Sequence, residues 1–82
     1  MIHDLKKLPE YFSPVQSGLK TFEIRFNDRN FHTGDTLILR EWNRNYTGRE
    51  ISAKITYILH NFSGLKEGYI AMSIETEEGG NQ

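Results

Sequence analysis

The chain has 82 residues, of which 37% are hydrophobic and 26% charged, and its formal net charge is −1. These values are typical of one small soluble domain and exclude a doubly wound nucleotide-binding fold or a barrel of alternating strands and helices. The sequence has no cysteine, which excludes disulfides and thiolate metal sites and favours a cytoplasmic protein. No apolar run approaches the ~20 residues of a membrane span, and residues 1–8 lack the apolar core of a signal peptide, so no membrane partner is expected.

The charges are distributed unevenly along the chain. All Lys and Arg residues precede Glu67, whereas three glutamates lie in the last eight residues. Without residues 75–82 the chain has ten basic and eight acidic side chains, a small excess that permits a nucleic-acid partner without requiring one. The polar composition predicts a flexible acidic tail at residues 76–82, after a single domain at residues 1–75.

A short helical region is predicted between residues 9 and 17. Pro9 suits a first helical position, and Gly18 suits the position that follows a helix. Pro14 interrupts this pattern, because a proline inside a helix removes a hydrogen bond and clashes with the preceding turn at a cost of ~3 kcal/mol. We therefore expect two short turns rather than one regular helix.

Alternation with period two predicts strands at residues 21–26, 50–60 and 69–76, and a central apolar triplet predicts another at residues 35–42. Two of these strands have a predicted apolar inner face, formed by Ile51, Ala53, Ile55, Tyr57 and Leu59 in one and by Ile70, Met72 and Ile74 in the other. Turn residues separate the strands at short intervals. The pattern predicts a mainly β (α+β) fold, a small curled sheet or β-barrel with one or two short helices.

The densest polar cluster spans residues 18–25. On a strand, Glu23 and Arg25 share one face at a separation of about 7 Å, and Phe22, Ile24 and Phe26 share the other. Lys20 lies in the turn that leads into this strand. A cation, a carboxylate and a guanidinium on one patch can bind a polar ligand. The alternative is an exposed ion pair between Glu23 and Arg25 on a solvent face, worth ~0–1 kcal/mol.

The motif Gly18-x-Lys20-x-x-Glu23-x-Arg25, followed by Gly34 and Asp35, resembles the signature of the activating signal cointegrator homology (ASCH) family, a branch of the PUA-like superfamily. Companion segments at residues 3–6, 27–29, 39–42 and 46–49 are similar to a small bacterial subgroup of that family. The resemblance implies a compact PUA-like barrel with a cleft lined by the motif residues. It also implies an RNA or nucleotide-like ligand in that cleft.

Some ASCH relatives are amidohydrolases that deacetylate an acetylated cytidine with a lysine, a threonine and a glutamate. The resemblance places Lys20 at the lysine position, but Glu23 stands where the threonine is expected, and a carboxylate cannot replace a hydroxyl nucleophile. Thr21 is the neighbouring hydroxyl, and Glu41 and Glu67 are the two candidates for the glutamate. A binding module without catalytic residues is therefore the leading hypothesis, and a small amidohydrolase acting on an acylated nucleoside is the alternative.

Arginines and aromatic residues alternate in the middle of the chain, a mixture that suits RNA bound by stacking and phosphate contacts. Trp42 is either a plug of the barrel or a platform for a base. The predicted ligand-binding residues are Lys20, Thr21, Glu23, Arg25, Arg29, Arg40, Trp42, Tyr46 and Arg49.

The three histidines of the chain lack the spacing of a helical metal-binding pair. We therefore predict no metal and no cofactor, and we expect His3 to be partly exposed on a first strand. The oligomeric state is left open.

Overall fold

A computed structural model describes residues 1–77 of the chain. Their elements, in chain order, are β1 (Ile2–Lys7), α1 (Pro9–Gln16), β2 (Phe22–Phe26), β3 (Thr36–Asn43), β4 (Asn45–Leu59) and β5 (Tyr69–Thr76). The strands form one sheet in the order β1-β3-β4-β5-β2, which curls into a half-barrel. The predicted mainly β fold is therefore confirmed. The helix within residues 1–77 is too short to cross a membrane.

The pairing of the strands is antiparallel except for β1, which runs parallel to β3. The hairpin between β3 and β4 is tighter than the sequence predicts, and β4 begins before residue 50, at Asn45. Arg44 makes this possible because it takes a left-handed conformation with φ 74°. Tyr46 then pairs directly with Trp42, so residues 46–49 belong to a strand and not to a loop.

The core lies in the concavity of the sheet, where the inner faces of β1, β3, β4 and β5 pack against α1. Its buried members are Leu5, Phe12, Val15, Phe31, Leu37, Leu39, Ile51, Ala53, Ile55, Ile70, Met72 and Ile74. The predicted inward face of β5 is therefore confirmed. A core of this size suits a small domain, which buries only about 60% of the surface of its unfolded chain.

The predicted inner face of β4 is correct for its first half and wrong for its second. Ile51, Ala53 and Ile55 are buried, but Tyr57 is 63% exposed. The pairing with β5 shifts between Ile55 and Tyr57, as in a β-bulge. One extra residue in a strand reverses the alternation of all the side chains that follow, so Ile58 packs against the core instead.

The region around Pro14 is one α-helix, so the prediction of two short turns is wrong. Phe12 and Val15 of this helix are 0% and 1% exposed, and burying such side chains stabilises the fold by about 1.5–3 kcal/mol each. This gain offsets the ~3 kcal/mol that an internal proline costs. The carbonyl that loses its donor belongs to Glu10, an exposed residue.

The end of α1 determines where β2 begins. The carbonyl oxygen of Pro14 accepts hydrogen bonds from the backbone N–H groups of Leu19 and Lys20, at 2.9 and 3.0 Å. Gly18 makes this turn with φ 85°, a conformation that side-chain-bearing residues rarely adopt. The glycine that opens the motif thus directs Lys20 towards the inner side of the sheet.

The predicted acidic tail begins at residue 76, and most of it lies outside the described residues. Thr76 is the last residue of β5, and the backbone N–H of Glu77 donates to the carbonyl of Ser52 at 2.9 Å. Residues 78–82 and any contact between them and the basic side chains lie outside the described part. The domain boundary at residue 75 remains a prediction.

Candidate functional site

The two edges of the half-barrel approach each other at one point. β1 and β2 lie at opposite ends of the strand order, yet Nζ of Lys7 in β1 donates to Oε1 of Glu23 in β2 at 2.6 Å. Within residues 1–77, no backbone pairing joins these two strands. A side-chain ion pair therefore bridges the opening of the half-barrel. We call the group formed by Lys7, Lys20, Glu23 and Arg25 the edge site.

Glu23 is the centre of the edge site. Its side chain is 0% exposed, and Nζ of Lys20 lies 3.4 Å from its other carboxylate oxygen. The interpretation of Glu23 as half of a surface ion pair is therefore wrong. The alternation predicts only which side chains share a face, and the curl of the sheet turns the charged face of β2 inward. A carboxylate at this depth needs opposite charges, because burying it alone costs several kcal/mol.

The edge site carries more positive than negative charge. Arg25 is half-buried on the same face of β2 as Glu23, and within residues 1–77 its side chain forms no ion pair or hydrogen bond. Burial lowers the pKa of Lys7 from its ordinary value, Glu23 opposes this change, and the nearby charges of Lys20 and Arg25 add to it. Three cations around one carboxylate leave an excess of two positive charges, which favours an anionic ligand.

An exposed aromatic ring lies beside the edge site. The ring centroid of Tyr11, on α1, is 5.7 Å from Nζ of Lys7 and 5.6 Å from Nζ of Lys20. Tyr11 is 48% exposed, so part of its surface is available to a ligand. Lys20 and Thr21 also line a cavity of about 250 Å³ between the end of α1 and β5. The surroundings of the lysines thus combine cations, a ring and a small hollow.

Several predicted site residues lie elsewhere. The outer face of the sheet holds Arg40, which donates to Asp4 at 2.7 Å and to Glu50 at 2.6 Å. Arg29 reaches the same region and donates to the carbonyl oxygen of Asp4 at 2.8 Å. Arg40 is therefore separated by the sheet from the edge site, whereas Arg29 is engaged with the main chain of β1 and not with Glu23. The sequence shows their charge but not the face on which they lie.

The two predicted aromatic site residues also lie on the outer face. Nζ of Lys6 lies 4.9 Å from the ring centroid of Trp42 and 5.8 Å from that of Tyr46. Trp42 is half-buried and is not a member of the core, so its interpretation as a barrel plug is wrong. Lys6 and Lys7 are neighbours in sequence but occupy opposite faces, as alternation in a strand requires.

Arg49 fastens β4 to the helix. Its Nε lies 3.1 Å from Oε1 of Glu41, its Nη2 donates to Oε1 of Gln16 at 2.9 Å, and its guanidinium lies 5.3 Å from the ring centroid of Phe12. Glu41 is buried and also accepts from the hydroxyl of Thr47. Both groups are engaged in structural contacts, although Glu41 is the register partner of Lys7 in the neighbouring strand.

Sequence reasoning missed Lys7 and Tyr11. A signal for Lys7 was present, since the two-residue period of a strand places it on the face of β1 that also carries His3 and Leu5. No comparable signal marks Tyr11, because its proximity to both lysines depends on how α1 packs. Within residues 1–77, no three acidic or histidine side chains are grouped so that they could hold a metal ion.

A second polar cluster lies at the start of β1 and β3. His3 is 5% exposed, contrary to the expectation of partial exposure, because its Nε2 donates to Oδ2 of Asp35 at 2.9 Å. Asp35 also accepts from the backbone N–H of His32 and from the amino group of Met1. The hydrogen bond from His3, supported by these two donors, holds the pKa of Asp35 well below its usual range.

We expect Asp35→Asn to destabilise the fold by about 1–3 kcal/mol at pH 7, because it leaves the buried His3 without its charged acceptor. Since the folded state depresses the pKa of Asp35, the stabilisation is complete above the ordinary pKa of about 4 and is lost as the pH falls below it. In urea unfolding, the difference in the free energy of unfolding between wild type and variant should become smaller as the pH falls from 5 to 2. The exposed Asp4→Asn is the control, and a difference independent of pH would contradict this assignment.

Known proteins resemble this chain in sequence and in fold. Residues 2–74 match the model of the family described as "Domain of unknown function (DUF3850)". An uncharacterized 12.9 kDa protein in the GpA 3′ region of Escherichia phage P2 is 42% identical over 72 residues, which cover 87% of this chain and 65% of that protein. The crystal structure of hypothetical protein PH0355 superposes with a TM-score of 0.66 over 93% of this chain and 99% of that one, at 18% identity. The last similarity concerns the fold alone, whereas the family match spans nearly all of the sequence: the chain belongs to the DUF3850 family.

Proposed function

We propose that this domain is an ASCH-type, PUA-like module that binds RNA or a nucleotide at the edge site. The observation that carries the proposal is the excess of positive charge around Glu23, with Lys7, Lys20 and Arg25 against one buried carboxylate. Phosphate is the ligand group that such a surplus attracts. Glu23 holds the two lysines in place, and it leaves the guanidinium of Arg25 available for a bidentate contact.

The position of Tyr11 supports a nucleotide over a simple anion. Its half-exposed ring lies beside both lysines, and an aromatic platform stabilises a stacked base by about 1–3 kcal/mol. A phosphate at the cations and a base on this ring are the two contacts that a nucleotide requires. The outer-face residues Arg40, Trp42 and Tyr46 are not part of this proposed site, and neither is Arg29, which is bound to the main chain of β1.

We expect Arg25→Ala to weaken the binding of a single-stranded RNA oligonucleotide by about 10- to 100-fold, because charge-assisted contacts contribute about 1.5–3 kcal/mol. The measurement is a titration from ~50 mM salt upward, where the logarithm of affinity falls with a slope near −0.7 per phosphate contact on a single strand. The slope of the variant should be less steep than that of the wild type by about 0.7, the share of one phosphate contact. The control Arg40→Ala removes the same charge from the outer face and should retain the wild-type slope.

Two results would refute the proposal. One is the absence of any binding of RNA or mononucleotide at ~50 mM salt, the condition under which phosphate contacts are strongest. The other is an equal loss of RNA affinity in Arg25→Ala and Arg40→Ala, which would indicate that binding depends only on the overall charge of the protein. A mononucleotide compared with inorganic phosphate tests the contribution of the base.

The alternative function is hydrolysis of an acylated nucleoside, and one observation favours it: Lys20 and Thr21 line the same cavity. Against it, Nζ of Lys20 donates to Glu23, and a lysine engaged as a donor serves poorly as a general base. Incubation with an acetylated nucleoside, followed by chromatography for acetate and the free amine, separates the two functions. Release that is abolished in Thr21→Val would replace the binding proposal by the enzyme.

A further inference from the structure

The two faces of β2 have the opposite polarity to those of an ordinary edge strand. Its charged residues Glu23 and Arg25 lie on the inner face, while Phe22, Ile24 and Phe26 on the outer face are 47%, 50% and 52% exposed. A strand with one solvated face normally presents its polar side chains to water. The exposed apolar face of β2 therefore needs a partner or leaves a patch that costs solubility.

The apolar surface continues across the sheet. The register places Phe22 beside Ser73, Ile24 beside Ala71 and Phe26 beside Tyr69. The next strand adds two exposed apolar side chains, with Tyr57 opposite Ser73 and Leu59 opposite Ala71. We call this surface the outer patch; its members are Phe22, Ile24, Phe26, Tyr57, Leu59, Tyr69, Ala71 and Ser73. None of them carries a charge.

The exposed area of the outer patch is large enough for an interface. Its five most apolar exposed members, on β2 and β4, are between 37% and 63% exposed. At roughly half exposure each, they present about 100 Å² apiece, or about 500 Å² together. The same area on a second copy brings the buried total to about 1,000 Å², the lower limit for a specific protein interface.

We propose that the outer patch is the face through which two copies of this chain associate, in a two-fold arrangement of sheet against sheet. The absence of charge from the patch favours this occupant, because a two-fold axis brings like residues together and charged ones would repel. The rings of Phe22, Phe26 and Tyr57 supply the rigid apolar area that dominates binding at such interfaces. The edge site lies on the inner face of each sheet, but it borders the outer patch at Phe22, whose ring centroid lies 5.3 Å from Nζ of Lys20. The substitution that tests the association is therefore placed at Ile24 and not at Phe22.

The test is the molar mass of the purified 82-residue chain by analytical ultracentrifugation from about 1 to 500 μM, a range that brackets weak interfaces of this size. We expect a concentration-dependent dimer, and Ile24→Lys should raise its dissociation constant at least tenfold. Ile2→Lys is a matched control: Ile2 is 69% exposed on the outer face of the other edge strand. Its substitution should leave the dissociation constant unchanged.

Three outcomes would overturn the proposal: a monomer at every concentration, an equal effect of Ile24→Lys and Ile2→Lys, or a dimer unaffected by the change in the patch. A chain that stays monomeric and binds RNA or another protein through the outer patch would overturn the proposal in the same way. Circular dichroism verifies that Ile24→Lys is folded. If it is not, Tyr57→Lys on β4 replaces it, since Tyr57 is the more exposed residue at 63%.

Discussion

Glu23→Gln should reduce the free energy of unfolding by about 3–5 kcal/mol, the usual loss when one partner of a buried ion pair is removed. The side chain of Glu23 is 0% exposed and that of Lys7 only 10%. Without the carboxylate, the ammonium of Lys7 is buried with no opposite charge at hydrogen-bond distance within the described residues. A domain of this size is stabilised by about 5–15 kcal/mol in total, so the variant should unfold at markedly lower urea concentration.

The pH dependence distinguishes a buried charge from a simple packing defect. Burial already lowers the pKa of Lys7, and Glu23 is the group that opposes this shift, so its neutralisation lowers that pKa further. The folded variant then releases a proton more readily than the unfolded chain, and its stability rises with pH. We expect the loss of unfolding free energy in Glu23→Gln, relative to the wild type, to be smaller at pH 9.5 than at pH 7.

The double variant Lys7→Met/Glu23→Leu is the control for this prediction. Replacing both members of a buried ion pair by apolar side chains is often neutral or stabilising, so it should recover most of the loss while abolishing ligand binding at the edge site. A single variant that costs less than 1 kcal/mol, or a double variant no more stable than the single one, would show that the ion pair does not close the half-barrel.

Phe12→Ala should cost about 3–5 kcal/mol, because it removes the largest fully buried side chain and leaves a cavity between the helix and the sheet. The guanidinium of Arg49 also lies over the ring of Phe12, 5.3 Å from its centroid. Loss of this ring should loosen the helix that presents Tyr11 and ends in the turn before Lys20. Thermal unfolding with a two-state fit provides the measurement.

Tyr11→Ala is the control for Phe12→Ala, since it removes an aromatic ring of the same helix that is 48% exposed. We expect a cost of about 1 kcal/mol or less, consistent with cation–π contacts at exposed sites. Equal losses in the two variants would mean that the helix is held by its surface contacts and not by its buried face.

The edge site has a structural role and, in the function that we propose, a binding role as well. Lys7 joins the two edges of the half-barrel through Glu23, and its charge is also one of the three that favour an anion. A phosphate that approaches the lysines therefore adds a second anion to a cluster that already has an excess of cations. Because Arg25 has no partner of its own among residues 1–77, it is the residue whose removal tests binding with the least effect on the fold.

The sequence by itself determined which side chains share a face in the regular strands β2 and β5, because that follows from the two-residue period of a strand and needs no knowledge of the partner strands. This is how the common face of Glu23 and Arg25 and the inward face of β5 could be predicted. The proximity of Lys20 to Glu23 also follows from local chain geometry, since the two residues are only three positions apart.

Only the tertiary structure decided which of the two faces is the interior. Alternation is symmetric, and the curl of the sheet and the packing of α1 place Glu23 inside and Ile24 outside. One extra residue in β4 likewise turns Tyr57 outward, and the closure of the half-barrel brings Lys7 to a carboxylate sixteen residues away. These features depend on contacts between distant segments, whose free energy no local pattern contains.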